Sequence, residues 1–331
     1  MKYLIYILVL ITCICSCKEE IDLTIGNSTP RLVVEGLITN LPGPYYVRLT
    51  LSKPGLSVNA TATEFGNDNY IPVTNATVII SDNIGNIDTL KPAPTQYYYQ
   101  HIYDSHGNVI DSIVQEYAVQ TNIERGYYQT KNIQGIAGRN YYLKIITGDN
   151  KIYTAVCLMP VVPKIDSISY LIKDLEIKKI KQLVPLIYFG KPNNNENYYL
   201  FQMSDPSNIP ISTPVNQIWQ FSIIDDRFLP DYVLGLNVEA GISPNGFEYY
   251  IYSNLDTTGN NGVVVNISMS ALTKDAYYFY KSLIEQFNND GGAYKPTPAS
   301  PVGNISGNAL GFFRASSVSG ITKTFYVDMK K

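Results

Sequence analysis

The stretch Arg31-Leu-Val-Val-Glu-Gly-Leu-Ile-Thr39, followed after Pro42-Gly-Pro44 by Tyr46-Val-Arg-Leu-Thr-Leu51, decides the fold class of this chain. Both runs are rich in β-branched residues and partly alternate apolar with polar side chains, which is typical of strands that bury one face. The proline and glycine residues between them interrupt a strand and favour a tight turn. The pattern therefore predicts a strand, a turn and a second strand.

The next pair of predicted strands encloses a polar turn. Ala76-Thr-Val-Ile-Ile-Ser81 and Ile87-Asp-Thr-Leu90 flank Asp82-Asn-Ile-Gly-Asn86, which predicts a β-hairpin. The Asp and Asn side chains of the connection are also of the type that binds calcium. Their spacing departs from that of an EF-hand loop and turn chemistry accounts for each of them, so we favour the turn.

Three more strands are predicted at residues 126–130, 140–146 and 151–156, the last two joined by Gly148-Asp-Asn150. About seven short strands with turn signals between them, and no helical periodicity, predict a β-sandwich over residues 30–160. The strand order resembles that of Ig-like domains of the transthyretin kind. This is a statement about the fold and implies no chemistry.

The run Pro160-Val-Val-Pro-Lys164 marks the predicted domain boundary, because its prolines are not compatible with a central strand. We expect a second β-rich domain over residues 165–331. Within it, apolar residues recur every three or four positions at 270–288, which predicts one amphipathic helix packed on a sheet, capped by Ser270 or Thr273. A helix that lies on a membrane or binds a partner is the alternative, but the polar face lacks the Lys/Arg enrichment of membrane-lying helices.

The amino terminus has the features of a secretory signal. Lys2 provides a positive start, residues 3–14 are apolar, and Ser16 precedes Cys17. This ending resembles a bacterial lipobox, in which cleavage before the cysteine leaves a thiol that carries diacylglycerol. We expect residues 1–16 to be a signal peptide and Cys17 to be lipidated, with an uncleaved signal anchor as the alternative. Each buried methylene of the acyl chains adds about 0.8 kcal/mol to the free energy of membrane binding. Several acyl chains therefore anchor the protein firmly without crossing the membrane.

The residues after the lipidated cysteine predict the side of the membrane. Lys18, Glu19 and Glu20 resemble the surface-export signal of Bacteroidota lipoproteins, and they begin a polar tether over residues 17–29. We therefore expect an outer-membrane protein displayed at the cell surface. An ordinary charged tether on the periplasmic face is the alternative.

The cysteines and the net charge of the chain argue against several classes of function. Of four cysteines, Cys13 and Cys15 leave with the signal and Cys17 is acylated, so Cys157 has no disulfide partner. The apolar sequence around Cys157 predicts a core residue rather than a nucleophile, since nothing nearby lowers a thiol pKa. The net charge of −3, with basic residues scattered singly, argues against a nucleic-acid partner.

Residues suited to catalysis or metal binding are few. His101 and His106 have no third ligand cluster, so we expect solvated loop histidines rather than a zinc site. Asp205, Asp225 and Asp226 are of the type that glycosidases use, yet acids at strand ends are common. We expect no catalytic residue, no cofactor and no metal.

Tyrosine is unusually frequent, with 28 residues against 11 phenylalanines. Pairs of adjacent tyrosines at 45–46, 127–128, 141–142, 198–199, 249–250 and 277–278 are compatible with sugar stacking. Adjacent residues of a strand face opposite sides, however, so a pair does not form one platform and structural roles are expected.

Four tripeptides resemble the Asp-Ser/Thr-apolar O-glycosylation motif of exported Bacteroidota proteins. Their candidate acceptors are Thr89, Ser112, Ser167 and Thr257. Three-residue patterns also recur by chance, so the motif alone leaves modification open.

Over nearly its whole length the sequence resembles a family of Bacteroidota lipoproteins, domain of unknown function 4249. The resemblance includes Leu32-Val-Val-Glu-Gly-Leu-Ile-Thr39, Asn75-Ala-Thr-Val78, Ile165-Asp-Ser-Ile168 and, most specifically, Gly303-Asn-Ile-Ser-Gly307 before Leu310-Gly-Phe-Phe313. Members of the family often lie beside genes for TonB-dependent outer-membrane receptors. The resemblance therefore implies an accessory role in uptake and supplies no catalytic residues.

Taken with the signal, this resemblance predicts a non-catalytic outer-membrane lipoprotein that binds a ligand or a TonB-dependent receptor. Adhesion or envelope structure is the first alternative, because an Ig-like domain serves it equally well. A glycan- or peptide-processing enzyme is the second.

Overall fold

The computed structural model of the protein describes residues 29–52, 71–94, 98–103, 109–115, 121–175, 180–192, 196–204, 221–238, 262–288 and 300–326. Across these ranges the chain forms several β-sheets and one α-helix. The prediction of a mainly β protein with two β-rich parts and an amphipathic helix is confirmed.

Within the described ranges the strands follow one another along the chain, and one α-helix precedes the last two of them. In chain order they are β1 (Leu32–Thr39), β2 (Tyr46–Leu51), β3 (Ile71–Pro72), β4 (Thr77–Asp82), β5 (Ile87–Thr89), β6 (Lys91–Pro92), β7 (Tyr98–Tyr103), β8 (Val109–Gln115), β9 (Tyr127–Gln129), β10 (Asn140–Ile146), β11 (Ile152–Leu158), β12 (Ile165–Leu175), β13 (Ile180–Gly190), β14 (Tyr198–Ser204), β15 (Phe221–Asp225), β16 (Tyr232–Asn237), β17 (Gly262–Leu272), α1 (Lys274–Asn288), β18 (Leu310–Ser316) and β19 (Val318–Tyr326).

Two sheets form the first sandwich. One has the strand order β18-β1-β2-β9-β6, with β3 paired to β2, and the other has the order β11-β10-β4-β5. The apolar side chains of their inner faces share one core, in which Val34, Val47, Ile80 and Ile145 are fully buried. The predicted hairpin around residues 82–86 and the predicted pair β10–β11 are both present.

Two further sheets, β12-β13-β16 and β15-β14-β17-β19, form the second sandwich. Their shared core includes Ile187, Phe201 and Ile267, each fully buried. The sequence pattern did not predict β16, a short strand in which the register shifts at Gly235, nor the hairpin β7–β8.

The helix α1 covers the outer face of the sheet that contains β14 and β17. It begins at Lys274, after the Thr273 hydroxyl, which accepts the N–H of Ala276 at 3.2 Å. Ala276 and Ile284 are buried in a cluster with Leu200 of β14. The predicted packing of an amphipathic helix on a sheet is therefore confirmed.

Strand β18 connects the two sandwiches. The sequence placed residues 310–316 with the second domain, whereas β18 pairs in parallel with β1 in the first sandwich, Val34 beside Gly311. Parallel neighbours need a long crossover, and the second sandwich with α1 is that crossover. Residues from both predicted domains therefore build the first sandwich, because Phe313 of β18 lies in its core.

Candidate functional site

An open cleft lies where the connection between the sandwiches meets the starts of β14 and α1. Its volume is about 560 Å³, which falls in the range of small-molecule sites. Leu158, Pro160 and Val161 form one wall, residues 196–199 the second and residues 271–274 the third. We call this cavity the junction cleft.

A hydrogen-bonded polar group lies at the junction cleft. The Tyr198 hydroxyl donates to Glu196 Oε2 at 2.6 Å, and Lys274 Nζ lies 3.3 Å from the same oxygen. The Tyr198 hydroxyl and the Lys274 ammonium lower the pKa of Glu196, so this carboxylate is ionised at neutral pH. The side chains of Glu196 and Lys274 are 43% and 62% exposed, so both are accessible to a ligand.

The wall formed by Leu158, Pro160 and Val161 is apolar. Leu158 is 44% exposed and Val161 is 65% exposed. Large exposed apolar side chains beside polar groups are typical of binding sites. The junction cleft is therefore suited to a ligand or partner segment that combines apolar surface with polar groups.

The two tyrosines of this cleft face opposite sides of β14, as predicted for adjacent strand residues. Tyr198 packs against Tyr277 of α1 with ring centroids 4.7 Å apart, while Tyr199 lies in the core of the second sandwich. The pairs at 127–128 and 141–142 are divided in the same way. These strand pairs consequently do not form flat sugar-stacking platforms.

Asp225 and Asp226, the candidate glycosidase residues, support the local fold. Asp225 accepts the N–H of Arg227 at 3.0 Å and forms an ion pair with its guanidinium at 2.6 Å. Burial raises the pKa of Asp225, but the bonds from Arg227 outweigh it and the pKa is lowered. Asp226 is fully buried and accepts two bonds from Asn197, each of 2.8 Å. A general acid needs a raised pKa and access to substrate; the pKa of Asp225 is lowered, and Asp226 is buried away from any substrate.

The carboxylate of Asp82, a candidate calcium ligand, is hydrogen-bonded to groups of its own turn and to Arg139. Its Oδ1 accepts the N–H groups of Ile84 at 3.1 Å and Asn86 at 2.9 Å, and its Oδ2 lies 2.9 Å from Arg139 Nη1. No group of three or more His, Cys, Asp or Glu residues in the described part of the chain is placed to hold a metal ion. Of the two histidines, His101 lies in β7 and His106 lies outside the described residues.

Cys157 lies in the core between the two sheets of the first sandwich. It is 4% exposed, and its sulfur accepts the N–H of Ala315 at 3.3 Å. Burial raises the pKa of this thiol. These surroundings fit the predicted core residue, since a nucleophilic cysteine needs a lowered pKa and access.

The remaining predicted site residues are dispersed. Thr89 of β5 and Ser167 of β12 are exposed and do not line the junction cleft, and Ser112 lies in β8. The others lie outside the described residues: Cys17, Lys18, Glu19, Glu20, Thr257, Asp205 and the tyrosine pair 249–250. Sequence reasoning did not find the junction cleft, because its three walls come from distant segments without a local motif.

The chain is thus a mainly β protein with two sandwiches, in which β18 returns to the first sandwich after the second, and with an open cleft lined by residues 158, 160–161, 196–199 and 271–274. It belongs to the family described as Domain of unknown function (DUF4249), whose profile matches residues 18–322. A comparison with curated proteins finds no match. Within the described ranges, none of the helices has the length and apolar character needed to span a membrane.

Proposed function

We propose that this protein is a non-catalytic outer-membrane lipoprotein of a Bacteroidota cell, displayed at the cell surface, that serves a TonB-dependent uptake system. The observation that carries the proposal is Cys17 directly after Ser16 at the end of an apolar signal. Acyl chains on that thiol attach the body to the membrane, and Lys18, Glu19 and Glu20 direct it outward.

The junction cleft supplies the binding surface in this proposal. Its lining includes an ionised Glu196, the Lys274 ammonium and the exposed side chain of Val161. Membership in the family supports the uptake role through the receptor genes that often lie beside its members. The structural use of Asp225 and Asp226 favours binding over hydrolysis.

Co-purification tests the proposal. The tagged protein is extracted from outer membranes with a mild detergent, and a TonB-dependent receptor is expected to accompany it. A Cys17→Ala variant lacks the acyl chains, so it should be absent from the outer-membrane fraction and should lose the receptor. If no such receptor accompanies the wild-type protein, the accessory role is refuted, and binding to glycan or matrix arrays would then support adhesion.

A pair of variants tests the junction cleft itself. Val161→Glu places a charge on the apolar wall and should reduce the amount of co-purified receptor or ligand. Val302→Glu is the matched control, because Val302 is 84% exposed and does not line the cleft. Equal yields from both variants would exclude the cleft as the contact surface. Protease treatment of intact cells tests surface display, since a periplasmic body would be protected.

A further inference from the structure

Strand β18 directs two polar side chains into the corner beneath α1. Phe313 faces the first core, so its neighbours along the strand, Arg314 and Phe312, face the other side of the sheet together with Ser316. Phe312 contacts Phe279 of α1 on that side, with ring centroids 5.0 Å apart. Arg314 and Ser316 therefore lie under the helix.

A third polar side chain enters the same corner from β17. The N–H of Ala271 donates to the carbonyl of Ser317 at 2.9 Å, so the end of β17 lies beside the end of β18. Ser270 of β17 lies beside Leu200 of β14 in the sheet, so the two side chains face the same side. Leu200 belongs to the apolar cluster beneath α1. Ser270 consequently faces the helix as well. We call Arg314, Ser316 and Ser270 the corner cluster.

The corner cluster is buried, and several of its polar atoms have no hydrogen-bond partner among the described residues. Arg314 is 6% exposed, Ser270 is 1% and Ser316 is 0%. For the part of the chain that the structure describes, Nε and Nη1 of Arg314 and the hydroxyl oxygens of both serines have no hydrogen-bond partner. A guanidinium stays charged when buried, so an unpaired one is costly.

Arg314 forms no ion pair with a carboxylate of the described residues. Its guanidinium carbon lies 5.3 Å from the Tyr280 ring centroid, and a cation–π contact offsets only part of the cost of burying a charge. Glu35 lies on the same face of the sheet, but Arg48 Nη1 is 3.6 Å from its Oε2. Asp275 and Glu285 of α1 are exposed. This face of β1, β2 and β18 thus carries two guanidinium groups and one carboxylate.

We propose that the corner cluster binds a small oxyanion of the carboxylate or phosphate class. The N–H groups of Arg314 and the two serine hydroxyls are the donors that such anions accept, and a charge-assisted bond is strongest where water is excluded. The bound anion neutralises the excess charge of this face. None of the three residues lines the junction cleft, and the site does not depend on lipidation or on a receptor.

Thermal unfolding of the purified full-length protein tests the site. Sodium chloride is replaced stepwise by sodium acetate or sodium phosphate at constant ionic strength. The melting temperature should rise by about 2–4 °C for each tenfold increase of the bound anion above its Kd. A larger rise in acetate would indicate a carboxylate ligand, and a larger rise in phosphate would indicate a phosphate ligand. If neither anion raises the melting temperature above its value in chloride, the proposal is refuted.

Variants distinguish binding from a structural role of Arg314. Arg314→Met should abolish the response to the anion and should melt no lower than the wild type in chloride, because an unpaired buried charge is removed. Ser270→Ala should weaken the response without removing a charge. Arg227→Met is the matched control: this exposed guanidinium is paired with Asp225, and its loss should leave the response intact. An Arg314→Met protein that keeps the response, or a Ser270→Ala protein with an unchanged one, would refute the site.

Discussion

Asn304 binds both backbone groups of Phe313: its Oδ1 accepts the Phe313 N–H at 2.9 Å, and its Nδ2 donates to the Phe313 carbonyl at 2.8 Å. The same Nδ2 lies 3.3 Å from the carbonyl of Val156 on β11. Nearby, the Ser306 hydroxyl accepts the N–H of Thr154 at 2.8 Å. One loop therefore covers the edges of β18 and β11 and closes that side of the first sandwich.

Replacing Asn304 with Ala should destabilise the protein. Two backbone groups of Phe313 lose their partner next to a packed core, so we expect the free energy of unfolding to fall by about 1–3 kcal/mol. Urea unfolding measures the change. Asn132→Ala is the control, because Asn132 is exposed and its replacement should change stability by less than about 0.5 kcal/mol. Equal effects would contradict the role of Asn304.

Gly311 controls the pairing between β1 and β18. Its φ is +94°, and a Cβ atom there would lie 2.0 Å from the Val34 carbonyl oxygen. Gly311→Ala should therefore force the strands apart and cost more than about 3 kcal/mol, or prevent folding. Gly85→Ala is the matched control, since Gly85 has φ +95° but no atom within 4 Å of the added Cβ. It should cost about 1 kcal/mol. Comparable losses in the two variants would show that backbone conformation, not the contact, limits position 311.

Asp88 makes the first sandwich sensitive to acid. Its buried Oδ2 accepts the N–H groups of Lys131, Asn132 and Ile133 at 2.8, 2.8 and 3.0 Å. Burial raises the pKa of Asp88, but the three bonds outweigh it and the pKa is lowered from 3.8.

Because the folded-state pKa lies below the unfolded one, the stabilisation by Asp88 is present above about pH 4 and is lost as the pH falls through the folded value. Asp88→Asn should reduce the free energy of unfolding at pH 7 by about 1–3 kcal/mol. The difference from the wild type should shrink toward pH 3. Urea unfolding at both pH values measures it, and a difference that does not change with pH would contradict the assignment.

The thiols of the protein report both its packing and its anchor. Cys157 is buried with a raised pKa, so the native protein should react with a disulfide reagent far more slowly than free cysteine. In denaturant, a mature chain acylated at Cys17 should react at Cys157 alone and release one equivalent of the reagent's thiol per chain. Two equivalents would mean that Cys17 carries a free thiol and would contradict the lipidation.

Local patterns in the sequence were sufficient for much of the fold. The alternation in β1 and β2, the turn at residues 82–86 and the three- and four-residue spacing within α1 each depend on side chains close together in the chain. Strand periodicity and turn chemistry act over a few residues, so these elements can be predicted without knowledge of their partners. The opposite orientations of Tyr198 and Tyr199 follow from the same rule.

The pairing of β18 with β1 and the position of Arg314 were decided by the tertiary structure alone. In the run Leu310-Gly-Phe-Phe-Arg-Ala-Ser316, a charged residue flanked by core residues is typical of the solvent face of an edge strand. The helix α1 covers that face, and so the same alternation buries Arg314 with Ser270 and Ser316. Which face of a strand meets water depends on elements from distant parts of the chain. Local sequence therefore determined the strand, whereas long-range packing determined the corner cluster and the junction cleft.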